Sequence, residues 1–220
     1  MRYLTAGESH GPQLTAIIEG VPAGLAISVD QINQELARRQ GGYGRGGRMK
    51  IEKDQVQLTS GIRHGKTLGS PITMIVENRD WKNWQTVMSV EPVSEKDEQL
   101  RRVAKPRPGH ADLVGGMKYQ HRDLRNVLER SSARETTMRV AIGALSKQLL
   151  AALDIEIASH VAVLGGIKAE VPMTLSVAEI KEKTAISEVN MVDLTIEDQV
   201  KTLIDETKKA GDTLGGIVEV

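Results

Sequence analysis

Apolar and polar positions alternate along this chain with periods that change from one stretch to the next. Gln13–Glu19 is a short apolar run between glycines, which predicts a buried strand. Val56-Gln57-Leu58-Thr59 alternates like a half-buried strand, and residues 72–76 and 155–164 read as two more. Helical spacing appears first at Ile32, Leu36 and Ala37, where Asp30 can cap a helix ending near Arg38-Arg39. It is strongest at Met138, Ala141, Ile142, Leu145, Leu149 and Leu153, after Ser132 and Glu135 in capping-box spacing. Shorter helical stretches fall at 112–120 and 124–128. Ser176 with Glu179 and Thr195 with Asp198 mark two further helix starts. The second helix runs through Val200, Leu203 and Ile204 to Lys208-Lys209, with Gly211 as its stop.

Between these elements, Val21-Pro22-Ala23-Gly24 turns the chain and 61–69 forms a turn and connection. Residues 80–103 make a long polar excursion over the surface. The last residues, Gly215-Gly216-Ile217-Val218-Glu219-Val220, begin a strand that needs a pairing partner. Strands and helices mix without regular β-α alternation. The expected class is α+β, with residues 1–220 in a single domain.

Composition narrows the function. The 220 residues carry 29 Lys+Arg against 29 Asp+Glu, so basic clusters serve local contacts, not general attraction to nucleic acid or membrane. The absence of cysteine excludes thiolate catalysis, disulfides and cysteine metal sites. Aromatic content of 2% leaves almost no stacking surface for single-stranded nucleic acid. The first residues lack the apolar segment of a signal peptide, and no apolar run is long enough to span a bilayer. The expectation is a cytoplasmic protein that binds neither nucleic acid nor membrane.

Four stretches carry candidate chemistry. Around Arg130-Ser131-Ser132-Ala133-Arg134-Glu135, a helix start flanked by two guanidiniums suits a phosphate or carboxylate; the alternative is a capped surface helix. Gly7-Glu8-Ser9-His10-Gly11-Pro12 presents an imidazole on a tight turn, suited to proton transfer, or is simply a polar turn. Lys105-Pro106-Arg107-Pro108-Gly109-His110 braces a second imidazole beside Arg107, or is a surface loop. Gly41-Gly42-Tyr43-Gly44-Arg45-Gly46-Gly47-Arg48, with Arg39 before it, combines close backbone approach with positive charge, or is a solvated loop. His64, His121 and His160 lack such surroundings and are taken as structural or surface residues. Zinc-protease, nucleophile-elbow and phosphate-loop motifs are absent. If the four stretches meet, they would hold a small polyanion and move protons on or off it.

Gly7-Glu8-Ser9-His10-Gly11, Arg107-Pro108-Gly109-His110-Ala111-Asp112 and Arg130-Ser131-Ser132-Ala133-Arg134-Glu135-Thr136 resemble, in order, three signatures of the chorismate synthase family. The loop at 41–48 is similar to the form in Gram-positive members. The resemblance spans the whole chain and implies the family's β-α-β sandwich, a helical layer between antiparallel sheets. It implies a lyase that eliminates phosphate from 5-enolpyruvylshikimate 3-phosphate to give chorismate in the shikimate pathway. Reduced FMN would be needed without net redox change, and NADPH would serve as flavin reductant in some members. By the resemblance, His10 assists the leaving phosphate and His110 protonates the bound flavin. Ser9, Arg39, Arg45, Arg48, Arg107 and Arg134 hold the substrate, while Arg130, Ser131 and Ser132 touch flavin or substrate. A homotetramer is implied. Family members are longer, so the chain is expected to be their N-terminal portion, without the aspartate that works with the flavin; a binding-only half is the alternative. An RNA-binding use of the Gly/Arg loop is a weaker alternative, against which charge balance and low aromatic content argue.

Overall fold

A computed structural model describes residues 1–44 and 53–220; Arg45 and Arg48 lie outside the described residues. The chain divides into two compact units. One holds Met1–Leu36 and Ile51–Ser146, and the other Ala37–Lys50 and Lys147–Val220.

The first unit is built on a four-stranded sheet. Its strands are β1 (Arg2–Ala6), β2 (Gln13–Glu19), β3 (Val56–Leu58) and, after a small hairpin, β6 (Ile72–Glu77). Their order is β1-β2-β6-β3, every neighbour antiparallel. The period of two decides the inner face. Leu14, Ala16 and Ile18 of β2, and Ile72, Met74 and Val76 of β6, are buried. They meet Ile32 and Leu36 of α1 (Val29–Gln40) and Met138, Ala141, Ile142, Ala144 and Leu145 of the last helix of this unit. β2 is therefore not a fully buried strand: Ile17 on its other face is 44% exposed. The antiparallel sheet is covered on one side within this unit, so only alternate residues go inside.

The 61–69 connection folds into a hairpin of β4 (Ile62–Arg63) and β5 (Lys66–Thr67). Its two turn residues, His64 and Gly65, have φ of 50° and 74°. Left-handed torsions at both positions match the twist of paired strands, a turn that the sequence pattern alone did not show. After β6 the long excursion contains one 3-10 turn at Trp81–Asn83 and the short helix α2 (Glu95–Glu98), capped by Ser94. Then come α3 (Asp112–Tyr119), α4 (Arg125–Ser131) and α5 (Thr136–Ala151).

Two expected helix starts in this unit change. Gln31 N–H donates to Ser28 Oγ, so Ser28 takes the capping role and Asp30 sits in the first turn of α1. At Ser132 the chain breaks to extended torsions between α4 and a 3-10 turn at Ala133–Glu135. Ser132 Oγ accepts from Arg134 N–H, while the Glu135 carboxylate accepts from Thr5 Oγ1 at 2.8 Å and Arg139 Nε at 2.9 Å. There is no capping box here: Glu135 is drawn to β1 and to its own helix neighbour.

In the second unit, β7 (His160–Leu164) pairs antiparallel with β8 (Ile167–Lys168) and β9 (Gly216–Glu219). The strand expected over 155–164 starts only at His160, because Asp154 (φ 58°) and the Ile155 N–H to Leu150 carbonyl bond still belong to the end of α5. Met191 and Val200 are fully buried, with Val161, Leu164, Ile167 and Ile204 against them. Helix α6 (Val177–Ile186) has the reciprocal Ser176–Glu179 capping box expected for it. Helix α7 (Glu197–Ala210) ends on left-handed Gly211 as expected, but Thr195 and Asp198 do not cap it. Asp193 accepts from Thr195 N–H to cap a preceding 3-10 turn at Leu194–Ile196, and α7 itself, with Ile196 at its N-cap, has no side-chain cap. The expected α+β class, with antiparallel sheets, is the class observed. Among the described residues, no helix is long and apolar enough to cross a membrane.

Candidate functional site

The first imidazole is placed by a turn between β1 and β2. Gly7 bends the chain with φ of 105°, and a Cβ there would lie 2.5 Å from the Gln13 carbonyl oxygen, so only glycine fits. The turn is then clamped from both sides. Ser9 N–H donates to the Glu129 carbonyl of α4 at 3.0 Å, and buried Asn78, just past β6, donates through Nδ2 to the Gly11 carbonyl at 2.9 Å. His10 meets Glu129 twice: its backbone N–H is 2.9 Å from Oε2, and its ring Nδ1 is 2.8 Å from the same oxygen. The other oxygen, Oε1, accepts from Arg125 one turn earlier at 2.6 Å.

The polar excursion closes one face of this imidazole. Trp84 lies against the His10 ring with centroids 3.7 Å apart, and its indole N–H donates to Asp80. Arg101 sits 4.0 Å from the Trp84 ring centre, and Arg125 sits 5.3 Å from it while donating to the Arg101 carbonyl. An open cavity of about 720 Å³ borders Arg125 and Glu129, but neither histidine lines it.

The second imidazole stands at the start of α3. Arg107, Gly109 and His110 form a tight turn closed by the His110 N–H to Arg107 carbonyl bond. Asp112, with no exposed surface, binds His110 Nδ1 through Oδ1 at 2.5 Å. Its Oδ2 accepts from Arg107 N–H at 3.1 Å and Arg107 Nε at 3.0 Å. Helix α3 then lies directly on α4. A Cβ at Gly115 would come 2.3 Å from Val127, so glycine permits the close approach.

Both carboxylates are held ionised. Burial pushes the Glu129 carboxyl up, but bonds from His10 and Arg125 outweigh it and the net direction is down. Burial likewise opposes the charge on Asp112, and bonds from Arg107 and His110 bring it down from 3.8 to about 2. A carboxyl lowered on folding stabilises the fold above its unfolded value and loses that contribution as pH falls through the folded value. Asp112 should therefore contribute on the order of 2 kcal/mol at neutral pH, lost between about pH 4 and pH 2. Urea unfolding of wild type and Asp112→Asn should show a stability difference that shrinks across that window; a constant difference would contradict this origin.

The other residues singled out in the sequence are placed as follows. Arg134 is 6% exposed, with its guanidinium 3.1 Å from Asp54 Oδ1. Arg130 donates to the Thr5 carbonyl at 3.0 Å and Thr5 Oγ1 at 2.7 Å, tying α4 to the end of β1. Ser131 closes α4 and is exposed; Ser132 caps the following turn. Ser9 is buried on Glu129. Arg39 belongs to the last turn of α1, in the second unit. The structure thus groups Ser9, His10, Arg130, Arg107 and His110 around α3, α4 and the end of β1. His160 is buried, with Nε2 3.1 Å from Glu219. Sequence reasoning missed Glu129, Arg125, Trp84 and Asp54. Only the Arg125–Glu129 pair had a local signal, its i,i+4 spacing.

Comparison with known proteins identifies the family. The family model described as chorismate synthase matches residues 1–220. The chain is 73% identical over 220 residues to a chorismate synthase of Enterococcus faecalis, covering all of this chain and 57% of that protein. It is 65% identical over 219 residues to one from Streptococcus mutans, covering 56% of it. A solved structure described as a crystal structure of chorismate synthase superposes with a TM-score of 0.76 at 42% identity, over 99% of this chain and 56% of the other. The chain spans just over half the length of the relatives it matches, and it belongs to the chorismate synthase family.

Proposed function

We propose that the protein catalyses the family's reaction: 1,4-elimination of phosphate from 5-enolpyruvylshikimate 3-phosphate, giving chorismate. That makes it a carbon–oxygen lyase of the shikimate pathway. The observation that carries this proposal is the pair of imidazoles, each held on a braced turn by a buried carboxylate, at 2.8 Å for His10 and 2.5 Å for His110. An elimination that expels phosphate develops negative charge on the leaving oxygens, and a positioned proton donor stabilises it. His10 is assigned that role. Arg107, with its side chain half-exposed beside His110, is assigned a substrate anion, together with Arg39, Arg45 and Arg48. Arg134 is also assigned to the substrate by the resemblance, although its guanidinium is engaged by Asp54.

The residues present suit a reduced flavin. His110 Nε2 has no hydrogen-bond partner among the described residues, and Leu113, Val114 and Met117 of α3 are more than half exposed close by in sequence. Such a combination offers a planar, partly apolar cofactor both a surface and a proton. Reduced FMN would supply the electron density that lets the carbon–oxygen bond break with no net redox change. Arg130, Ser131 and Ser132 would contact it, and His110 would pass a proton to it. NADPH as the flavin's reductant, a homotetramer and a cytoplasmic location complete the proposal.

The test is an anaerobic assay of the intact protein with reduced FMN and 5-enolpyruvylshikimate 3-phosphate. Chorismate absorbance and free phosphate should rise together. Substrate binding without either product would replace the proposal with a binding role.

A further inference from the structure

We propose that Glu129 and Asp112 are positioning residues that keep the hydrogen of His10 and His110 on Nδ1, so that Nε2 of each ring is the atom that exchanges protons. The catalytic part of this inference rests on the elimination proposed above; the tautomer part rests on geometry alone.

The two histidines are held by the same device, made from unrelated pieces of chain. In each case one buried carboxylate meets three groups: a ring Nδ1, an arginine, and a backbone N–H. For His10 these are Nδ1 at 2.8 Å, Arg125 at 2.6 Å, and its own N–H at 2.9 Å, all on Glu129. For His110 they are Nδ1 at 2.5 Å, Arg107 Nε at 3.0 Å and Arg107 N–H at 3.1 Å, all on Asp112. One carboxylate lies 119 residues from its histidine and the other two residues away. A lone histidine–carboxylate contact is common, but local sequence accounts for only the His110 member of this repeated arrangement.

The chemistry follows from what an ionised carboxylate can do. It only accepts hydrogen bonds. The arginine and backbone N–H keep each carboxylate charged, so Nδ1 must donate in both the neutral and the protonated ring. Nε2 is then the one nitrogen whose protonation changes. In the elimination, the Nε2–H bond of protonated His10 breaks and the proton moves to an oxygen of the departing phosphate. The ring is left neutral with its hydrogen still on Nδ1, and Glu129 stays anionic throughout. Trp84 against one ring face adds a fixed plane for His10.

The experiment uses the intact protein labelled with 15N-histidine, with long-range proton–nitrogen correlation reading the tautomer of each neutral ring. Signals are assigned by loss in His10→Gln and His110→Gln. The expected result is the Nδ1–H form at both. Glu129→Gln and Asp112→Asn, whose amides can donate as well as accept, should admit the Nε2–H form. They should also lower kcat by at least about 10-fold with KM changed less than about 3-fold, a split that a merely structural defect would not produce. Glu129→Asp, which keeps the charge, should recover part of that loss. An Nε2–H wild-type ring at either histidine overturns the inference, even if the variants fail to fold. Unchanged tautomer and kcat in both amide variants overturns it as well. If wild type shows Nδ1–H at both rings and no elimination, the catalytic part falls with the proposed function while the tautomer assignment stands.

Discussion

Arg134→Ala should destabilise the first unit by about 3–5 kcal/mol, the cost of stripping one partner from a buried ion pair. The Arg134 side chain is 5% exposed and Asp54 is 2% exposed, with 3.1 Å between them. Thr137 Oγ1 lies 3.4 Å from the same carboxylate, too weak a contact to replace a guanidinium. Removing the arginine takes a guanidinium away from a carboxylate that is almost wholly buried. Asp54→Ala combined with Arg134→Ala should therefore recover much of the loss, because the buried carboxylate that lost the guanidinium is removed as well. Denaturant unfolding of the two variants checks this. An Arg134→Ala protein as stable as wild type, with weakened substrate binding, would show the arginine working as the family resemblance implies and not as a strut.

His10→Ala should lower kcat by about 10²–10⁴-fold, the range for loss of a positioned general acid. Folding should survive, because the ring is held at the edge of the unit. Its side chain is 17% exposed, and Glu129 keeps its bonds to Arg125 and to the backbone N–H of residue 10. The ring also covers Trp84 at 3.7 Å, so the variant should change the tryptophan fluorescence while leaving the far-ultraviolet dichroism as it was. Steady-state rates with reduced FMN present measure the first effect. A wild-type rate would remove His10 from the mechanism, whatever the fluorescence does.

The two predictions separate residues that look alike in the sequence. Arg134 and His10 both stand in polar strings beside glycine or serine, and both invite a functional assignment. Their surroundings differ. His10 meets a carboxylate on one ring edge and an indole on one ring face. Arg134 is enclosed, with its guanidinium on the Asp54 carboxylate. Nothing within three or four residues of either one reveals that difference.

What the sequence determined on its own was the local layer. The apolar run over 13–19 and the stretch 72–76 mark strands, while the one face that each buries came from the fold. The 3.6-residue spacing from Met138 to Leu145 specifies a helix with one buried face. Ser176 and Glu179 specify their helix start because both partners lie within one turn. The strings around His10, His110 and Arg130 carry the family likeness because each functional turn is short and continuous.

Only the tertiary structure decided how distant groups pair. The Ser132–Glu135 spacing promised a capping box, but β1 brought Thr5 to Glu135 across 130 residues, and the carboxylate went there. Glu129 reached His10 across 119 residues, and Asp54 reached Arg134 across 80. These pairings follow from the strand order β1-β2-β6-β3 and from the packing of α3 on α4, which set which backbones approach and which polar groups lose water together. A buried charge takes the partner that the fold delivers, not the one nearest in sequence, because leaving it unpaired costs more than any local capping bond returns.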